Sequence, residues 1–162
     1  MSYTYTAHPN QVERDEDKAI IPEDMGNIDW VAYQDWLAEG NVTNPYVPPP
    51  PTRQQEIDAY MAQGLTINAT NSTMGSGRFG VVPPYSDIVN SNATYFNSNT
   101  NFPGGLPYAE IVDLDGTYHS IPGSKHNTDW ARFVADIGTF VHQCHLYAAG
   151  FVDVLPPNVV DL

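Results

Sequence analysis

The sequence predicts an α+β fold in which two small β-hairpin-plus-helix modules carry most of the regular structure. Two observations predict it. The stretch "IPEDMGNIDW" at 21–30 returns as "IPGSKHNTDW" at 121–130. Strand-like residues around an acidic turn precede each stretch, and apolar residues at helical spacing follow it. Between the two copies we expect a polyproline linker, a short helix and an irregular β/loop segment rich in Asn, Ser and Gly.

The two stretches belong to a longer repeat. A gapless overlay of residues 12–37 on residues 112–137 gives seven identical positions. Because Trp and Pro are uncommon residues, their coincidence in one register indicates a duplicated module. Chance matching of short turn and cap signals is the alternative. The identical pairs are Val12/Val112, Asp15/Asp115, Ile21/Ile121, Pro22/Pro122, Asn27/Asn127, Asp29/Asp129 and Trp30/Trp130.

The first copy begins with a hairpin signal. "QVER" at 11–14 and "KAII" at 18–21 flank the acidic turn 15–17, and such an arrangement is typical of two antiparallel strands. Pro22 then ends the second strand, because proline has no N–H to donate to a ladder.

The second copy carries a clearer hairpin signal. "YAEIVDL" at 108–114 has the alternation and the β-branched residues of a strand, and "TYHSI" at 117–121 returns along it. The dipeptide Asp115-Gly116 fits a two-residue turn that needs positive φ angles. Pro122 ends this strand for the reason given for the first copy.

Each proline is followed by a short loop and then by a helix. Asn27 and Asn127 are good N-caps because an Asn side-chain oxygen can accept an N–H of the first turn. Apolar side chains then recur every three or four residues, which predicts one buried stripe on each helix. Gly40 and Gly150 mark the helix ends. The stripes are Trp30, Tyr33 and Leu37, with Trp36 beside them, and Trp130, Phe133, Val134, Ile137, Phe140, Val141 and Cys144.

The middle of the chain separates the two modules. "NPYVPPPPT" at 44–52 predicts an extended polyproline II spacer, and Thr52 with Gln55 forms the capping-box pattern of a short helix. In residues 65–107, Gly, Pro, Asn, Ser and Thr supply 26 of 43 positions, which predicts short strands and long loops. The expected division is 1–43 for the first module, 44–52 for the linker, 53–64 for the short helix, 65–107 for the irregular segment and 108–162 for the second module.

Composition excludes several classes of partner. The formal charge is −13 at pH 7 over 162 residues, so the chain repels phosphate, and neither nucleic acid nor an anionic membrane surface is an expected partner. No apolar run approaches the roughly 20 residues of a membrane-spanning helix. The N-terminal residues lack the pattern of a secretory signal, so we expect synthesis in a cytoplasm. The single cysteine excludes an internal disulfide and a multi-cysteine zinc site.

Candidate chemical sites are few. His142 and His145 share one helix face and would bind a metal only with a third ligand. Cys144 lies on the apolar stripe, where thiols are usually inert. Asp113 and Asp115 resemble the start of a calcium loop without its later ligands, and a hairpin turn explains them better. We therefore expect no enzyme, no cofactor and no metal. The residues expected to support structure and interaction are Trp30, Tyr33, Trp36, Trp130, Phe133, Pro22, Pro122, Asn27 and Asn127.

The first copy resembles a module of tailed-bacteriophage tail proteins, of the tail fibre and tail fibre assembly type. That pattern has a hairpin, Ile-Pro, an Asn-x-Asp-aromatic helix start, a Trp-containing short helix that ends in Ala-x-Gly-Asn, and a Pro-rich exit. This chain has "VERDEDKAIIPEDMGNIDWVAYQDWLAEGNVTNPYVPPPP" at 12–51, and "YQDWLAEGN" at 33–41 is especially similar. The second copy, 112–137, matches more weakly. It has Asp136 where the first has Trp36, and its helix continues further.

The resemblance implies a structural virion protein of a phage tail, fibre or baseplate that acts as an adaptor or docking component. Its partners would be other phage virion proteins, with a homo-oligomer as an open alternative. It would be made in the cytoplasm of a bacterial host and reside in the virion. A tail fibre assembly chaperone is the alternative function, and a metal-dependent tail enzyme is a third hypothesis.

Overall fold

The computed structural model describes residues 1–70, 72–123 and 128–161. Over these residues the chain forms four α-helices and eight short β-strands, so the predicted α+β class is confirmed. The chain divides into two compact units, Met1–Pro50 and Pro51–Leu162. Each unit has its own hydrophobic cluster.

The first unit is a three-stranded antiparallel sheet covered by one helix. The predicted hairpin is confirmed as β2, Gln11–Arg14, and β3, Ala19–Pro22. A strand that we did not predict, β1, Tyr3–Tyr5, pairs antiparallel with β2. Helix α1 spans Ile28–Ala38. The buried side chains between sheet and helix are Tyr3, Val12, Ile21, Trp30 and Tyr33.

The chain leaves this unit along the sheet rather than directly from the helix. Asn44 N donates to Tyr3 O at 2.8 Å, and Tyr5 N donates to Asn44 O at 2.9 Å. The linker therefore begins one residue later than predicted. Residues 45–52 are exposed and lie outside helices and strands.

The second unit contains two small sheets and three helices among its described residues. The elements are α2, Arg53–Ala62; β4, Leu65–Asn68; β5, Gly77–Phe79; α3, Tyr85–Asn99; β6, Tyr108–Val112; β7, Tyr118–Pro122; α4, Asp129–Ala148; and β8, Val159–Asp161. One sheet has the order β5-β4-β8, in which β4 runs antiparallel to β5 and parallel to β8. The strands β6 and β7 form an antiparallel hairpin.

These elements share one core, which corrects the expected division at residue 108. The buried side chains of α4 lie in the same cluster as Ile57 of α2, Leu65 and Ile67 of β4 and Phe79 of β5. The predicted second module is therefore only part of the Pro51–Leu162 unit. The α4 residues in the cluster are Trp130, Phe133, Ile137, Phe140 and Cys144.

The expectation of loops and short strands over 65–107 is wrong for α3. Val89 of this helix is buried, and Ala93 and Phe96 follow at helical spacing and pack against the core. Some of its polar side chains donate hydrogen bonds to the backbone carbonyl four residues earlier; for example, Asn92 Nδ2 donates to Ile88 O at 3.0 Å. Side chains rich in Asn and Ser ordinarily compete with helix formation, and here they bond along the helix while the apolar stripe packs.

The two hairpins do not follow the register of the sequence repeat. Ile21 lies opposite Val12 in the first hairpin, whereas Ile121 lies opposite Ala109 in the second. The repeat would place Val112 opposite Ile121, so the first strand of the second hairpin is displaced by three residues from the register of the repeat. The gapless repeat therefore describes the structure only from the second strand of each hairpin onward. The pairs that lose structural equivalence are Val12/Val112 and Asp15/Asp115.

The turn of the second hairpin is also longer than the predicted two residues. Residues 113–117 join the strands, and among them only Gly116 has a positive φ, +83°. Gly116 N donates to Asp113 O at 3.1 Å. The Asp113 carboxylate accepts from Asp115 N at 2.9 Å and from Thr117 N at 2.8 Å. This carboxylate therefore organises a wider turn, in which glycine takes the left-handed position.

Candidate functional site

An aromatic cluster holds the first unit together. The rings of Tyr3 and Tyr33 lie 4.9 Å apart edge-on, and those of Trp30 and Tyr33 lie 5.1 Å apart. Trp36 adds an edge contact to Tyr3 at 5.0 Å. Pairs of this geometry contribute about 0.5–1.5 kcal/mol each beyond the area that they bury. The three aromatic residues predicted for this helix therefore lie together, against a strand that was not predicted.

A buried hydroxyl pair ties this cluster to the exit of the unit. Tyr33 Oη and Thr43 Oγ1 are joined by a hydrogen bond of 2.6 Å, and both residues are buried. Burial raises the pKa of Tyr33, and the hydrogen bond to Thr43 offsets part of that rise. This hydrogen bond holds the end of the first unit against α1, just before the exposed linker begins.

The start of α1 is fixed by its cap and by a strand residue. Asn27 Oδ1 accepts from Asp29 N at 2.9 Å, which confirms the predicted N-cap. Arg14 of β2 pairs with Asp29 at 2.8 Å and with Asp17 at 2.8 Å. The hydrogen bond from Arg14 lowers the pKa of Asp17 to about 2. Pro22 ends β3 as expected.

An apolar surface lies beside this cap. Ile28 is 83 % exposed and Val31, one helical turn later, is 37 % exposed, while Met25 in the preceding loop is 74 % exposed. We call Met25, Ile28 and Val31 the apolar flank. Glu23 and Asp24, both exposed, adjoin it in the chain. Apolar side chains grouped in this way, and bordered by charge, are a common feature of protein contact surfaces.

The second unit repeats the indole anchor with other neighbours. Trp130 contacts Phe102 edge-on at 5.1 Å and stacks on Phe133 at 5.7 Å. Phe79 adds an edge contact to Phe133 at 4.9 Å. Pro122 ends β7 as predicted. Asn127 lies outside the described residues, and α4 begins after Thr128, whose side chain makes no cap hydrogen bond.

A buried His–Asp pair, whose histidine was not among the residues singled out from the sequence, is the polar centre of the second unit. His119 Nε2 and Asp113 Oδ2 share a hydrogen bond of 3.0 Å, and His119 Nδ1 donates to the carbonyl oxygen of Met74 at 2.9 Å. Both ring nitrogens therefore have an oxygen partner within hydrogen-bond distance. Both side chains are only 4 % exposed. The alternation of β7, which turns Ile121 inward, was the signal that also turns His119 inward.

The described residues around the pair leave almost none of its surface exposed to solvent. Burial alone would raise the pKa of Asp113, but hydrogen bonds from His119 and from two backbone N–H groups outweigh it and lower that pKa. Gly77 of β5 lies against the pair, since a Cβ there would stand 2.8 Å from His119 Nε2. The pair therefore joins the hairpin to the segment that leads into β5.

The histidine and cysteine residues of α4 do not come together as a metal site. Cys144 is buried, and this burial raises the pKa of its thiol to about 11. His142 and His145 are exposed. In the described parts of the chain, no group of three or more His, Cys, Asp or Glu side chains is placed to hold a metal ion. Nor is any described helix both long and apolar enough to cross a bilayer.

A groove opens in the second unit between α2, the start of α3 and α4. Its cavity measures about 710 Å³. Sequence reasoning missed it because its walls come from segments far apart in the chain, and no local pattern signals such a surface. The apolar lining includes Ile57, Met61, Val81, Val89, Ile137 and Val141.

Comparison of the chain with protein-family models, with curated proteins and with solved structures found no match.

Proposed function

We propose that this chain is a structural component of a bacteriophage tail, fibre or baseplate, in which it serves as an adaptor that docks onto other virion proteins. The observation that supports the proposal is the coincidence of the phage-like segment 12–51 with a compact unit, Met1–Pro50. A sequence module that recurs on different proteins needs to fold without its neighbours.

The surface of that unit is consistent with docking. The aromatic side chains Tyr3, Trp30 and Tyr33 are buried in its core, while the apolar flank faces outward. Nine acidic and two basic side chains give residues 1–50 a formal charge of −7. A partner for this surface would present apolar side chains surrounded by Lys or Arg, since complementary charge speeds and orients association.

Quantitative mass spectrometry of purified phage particles tests the proposal. We expect the chain at a fixed copy number relative to the major structural proteins. Presence in infected cells but absence from particles would contradict the virion assignment and favour a fibre assembly chaperone. Stoichiometric zinc that disappears on His142→Ala would instead favour the enzyme hypothesis.

A paired substitution tests the docking surface itself. Ile28→Ser combined with Val31→Ser removes the exposed apolar groups of α1 without touching the core, so the unit should keep its fold. We expect incorporation into particles to fall by about tenfold, as for loss of a central interface contact. Gln34→Ser, an exposed change on the same helix, is the matched control. Equal incorporation of both variants would exclude the apolar flank as the docking surface.

A further inference from the structure

The groove of the second unit has the size and character of a binding site. About 710 Å³ falls within the roughly 300–1,000 Å³ typical of such sites. Its floor is apolar, and polar groups stand around it, among them Gln54, Asp58 and His145. This surface lies wholly within residues 51–162 and is independent of the apolar flank.

Gly138 shapes the groove in a way that packing does not require. It occupies the middle of α4, where glycine costs about 1 kcal/mol of helix stability relative to alanine. A Cβ at Gly138 would meet nothing within 4 Å. The missing side chain therefore makes no room for a neighbour in the fold, and its effect is to leave one wall of the groove open.

The charges at the groove are mainly acidic. Asp58 is the only carboxylate, and neither Lys nor Arg occurs, among the described residues that line it. Asp87 and Asp136 each adjoin a lining residue in the chain, on α3 and α4 respectively. Arg132 lies near enough to Asp136 to lower its pKa, but burial outweighs it and leaves that pKa raised. The rim therefore complements a cation.

We infer that this groove binds an amphipathic helix of a partner protein, with apolar side chains on the floor and a Lys or Arg beside Asp58. Helical walls and an apolar floor suit the helix-in-groove mode, in which anchors recur at i, i+3 or i+4, and i+7. A second copy of this chain is disfavoured because each copy carries a formal charge of −13. The inference holds whether or not the chain belongs to a virion.

Designed peptides provide the test on the purified full-length chain. Two peptides of about five helical turns share one composition and one Leu face. One places Lys beside the Leu face and Glu opposite, and the other exchanges these positions. We expect the first to bind more tightly by about two- to fivefold, the size of an exposed ion pair, and Asp58→Asn to remove the preference. Labelled-peptide anisotropy measures affinity, and methyl NMR shifts of Met61 and Val141 report the site.

Gly138→Leu fills the groove and should weaken binding of the first peptide by about tenfold or more, as for loss of a central anchor contact. Ala135→Leu adds the same side chain at an exposed position of the same helix outside the lining and should leave binding unchanged. Thermal unfolding monitors folding of both variants, and Gly138→Leu should not lower the melting temperature.

Three outcomes would overturn the inference. Absence of saturable binding by the first peptide excludes a helix-binding groove. Equal affinity of the two leucine variants places the peptide elsewhere. Self-association of the chain that Gly138→Leu abolishes would show that a second copy, rather than a basic partner, occupies the groove. None of these outcomes depends on whether the chain is found in phage particles.

Discussion

The two hairpin-helix arrangements have the same order of elements, but they are stabilised by different contacts. In each, a ribbon ends at Ile-Pro, and an indole lies near the start of the next helix in the chain. Among the described residues, Trp30 belongs to a buried cluster of five side chains, whereas Trp130 belongs to one of eighteen. The first arrangement is completed by one added strand, and the second is absorbed into a larger core.

Two structurally equivalent positions show how the repeat diverged. Tyr33 of the first unit corresponds to Phe133 of the second, and only the former has a hydroxyl, which pairs with Thr43. Ala19 corresponds to His119, and only the latter enters a buried polar network. The repeat therefore preserves where the helix meets the ribbon, while the polar interactions differ in each copy.

The largest expected effect comes from deleting the indoles. Trp→Ala in a core costs about 3–5 kcal/mol. At about 0.05–0.15 kcal/mol per residue, a unit of 50 residues has only about 2.5–7.5 kcal/mol to lose, against about 6–17 for 112 residues. We therefore expect Trp30→Ala to unfold much of Met1–Pro50, and Trp130→Ala to leave Pro51–Leu162 folded but weakened. Hydrogen exchange, followed by mass spectrometry of peptides from each unit, separates the two.

A loss below about 1 kcal/mol for Trp130→Ala would contradict its role as an anchor, since large core truncations cost several times more. If each variant loses hydrogen-exchange protection equally in both units, the two units unfold as one.

The buried pair of the second unit should give the next largest effect. Asp113→Asn removes the buried carboxylate that pairs with His119, and breaking a buried pair costs about 3–5 kcal/mol. The pKa of Asp113 is lowered in the folded state. Its contribution to the free energy of unfolding is therefore fully present at pH values above the ordinary carboxyl pKa of about 4, and it is lost as the pH falls through the pKa of the folded state. Urea unfolding of the wild type from about pH 6 to 2 should show this loss, and the variant should show a smaller loss, since Asp17, whose pKa is also lowered, remains in it.

Asp115→Asn is the matched control for that experiment. Asp115 pairs with Arg78 at 2.6 Å, but its side chain is 59 % exposed, and exposed pairs contribute little. A similar loss in both variants would mean that the turn, rather than the buried pair, sets the stability.

Local signals were sufficient for much of this fold. Asn27, Thr52 with Gln55, and Pro22 each act through neighbours a few residues away, so their spacing in the sequence determined their roles. The buried stripe of α4 was equally predictable, since its apolar residues keep helical spacing over five turns.

Long-range pairing was what the sequence could not reveal. β4 pairs in parallel with β8, where Thr66 lies opposite Val159, and no local pattern selects such a partner. The His119–Asp113 contact depends on the hairpin register, which the gapless repeat misplaced by three residues. The helix at 85–99 carries Ile88, Val89 and Phe96 at helical spacing, but the many Asn and Ser residues around them favoured the prediction of loops.

The exchange of hydroxyls between equivalent positions tests the divergence of the two cores. Tyr33→Phe leaves Thr43 Oγ1 buried without its partner and should cost the first unit about 1 kcal/mol. Phe133→Tyr places a hydroxyl where Phe133 is fully buried, and should cost the second unit about 1–3 kcal/mol, the cost of a buried hydroxyl without a compensating hydrogen bond. Denaturant unfolding of each variant measures both. A stabilising Phe133→Tyr would reveal an acceptor near that ring.

The smallest expected difference concerns the two helix starts. Asn27→Ala removes the bond from Asp29 N to Asn27 Oδ1 and should cost about 1 kcal/mol, the usual value for an N-cap. Thr128→Ala should cost less than about 0.5 kcal/mol, because Thr128 makes no cap hydrogen bond and is exposed. Chemical denaturation with hydrogen exchange of the first turn of each helix compares them. Equal losses would show that both helices are capped alike, and the repeat would then extend to its caps as well as its indoles.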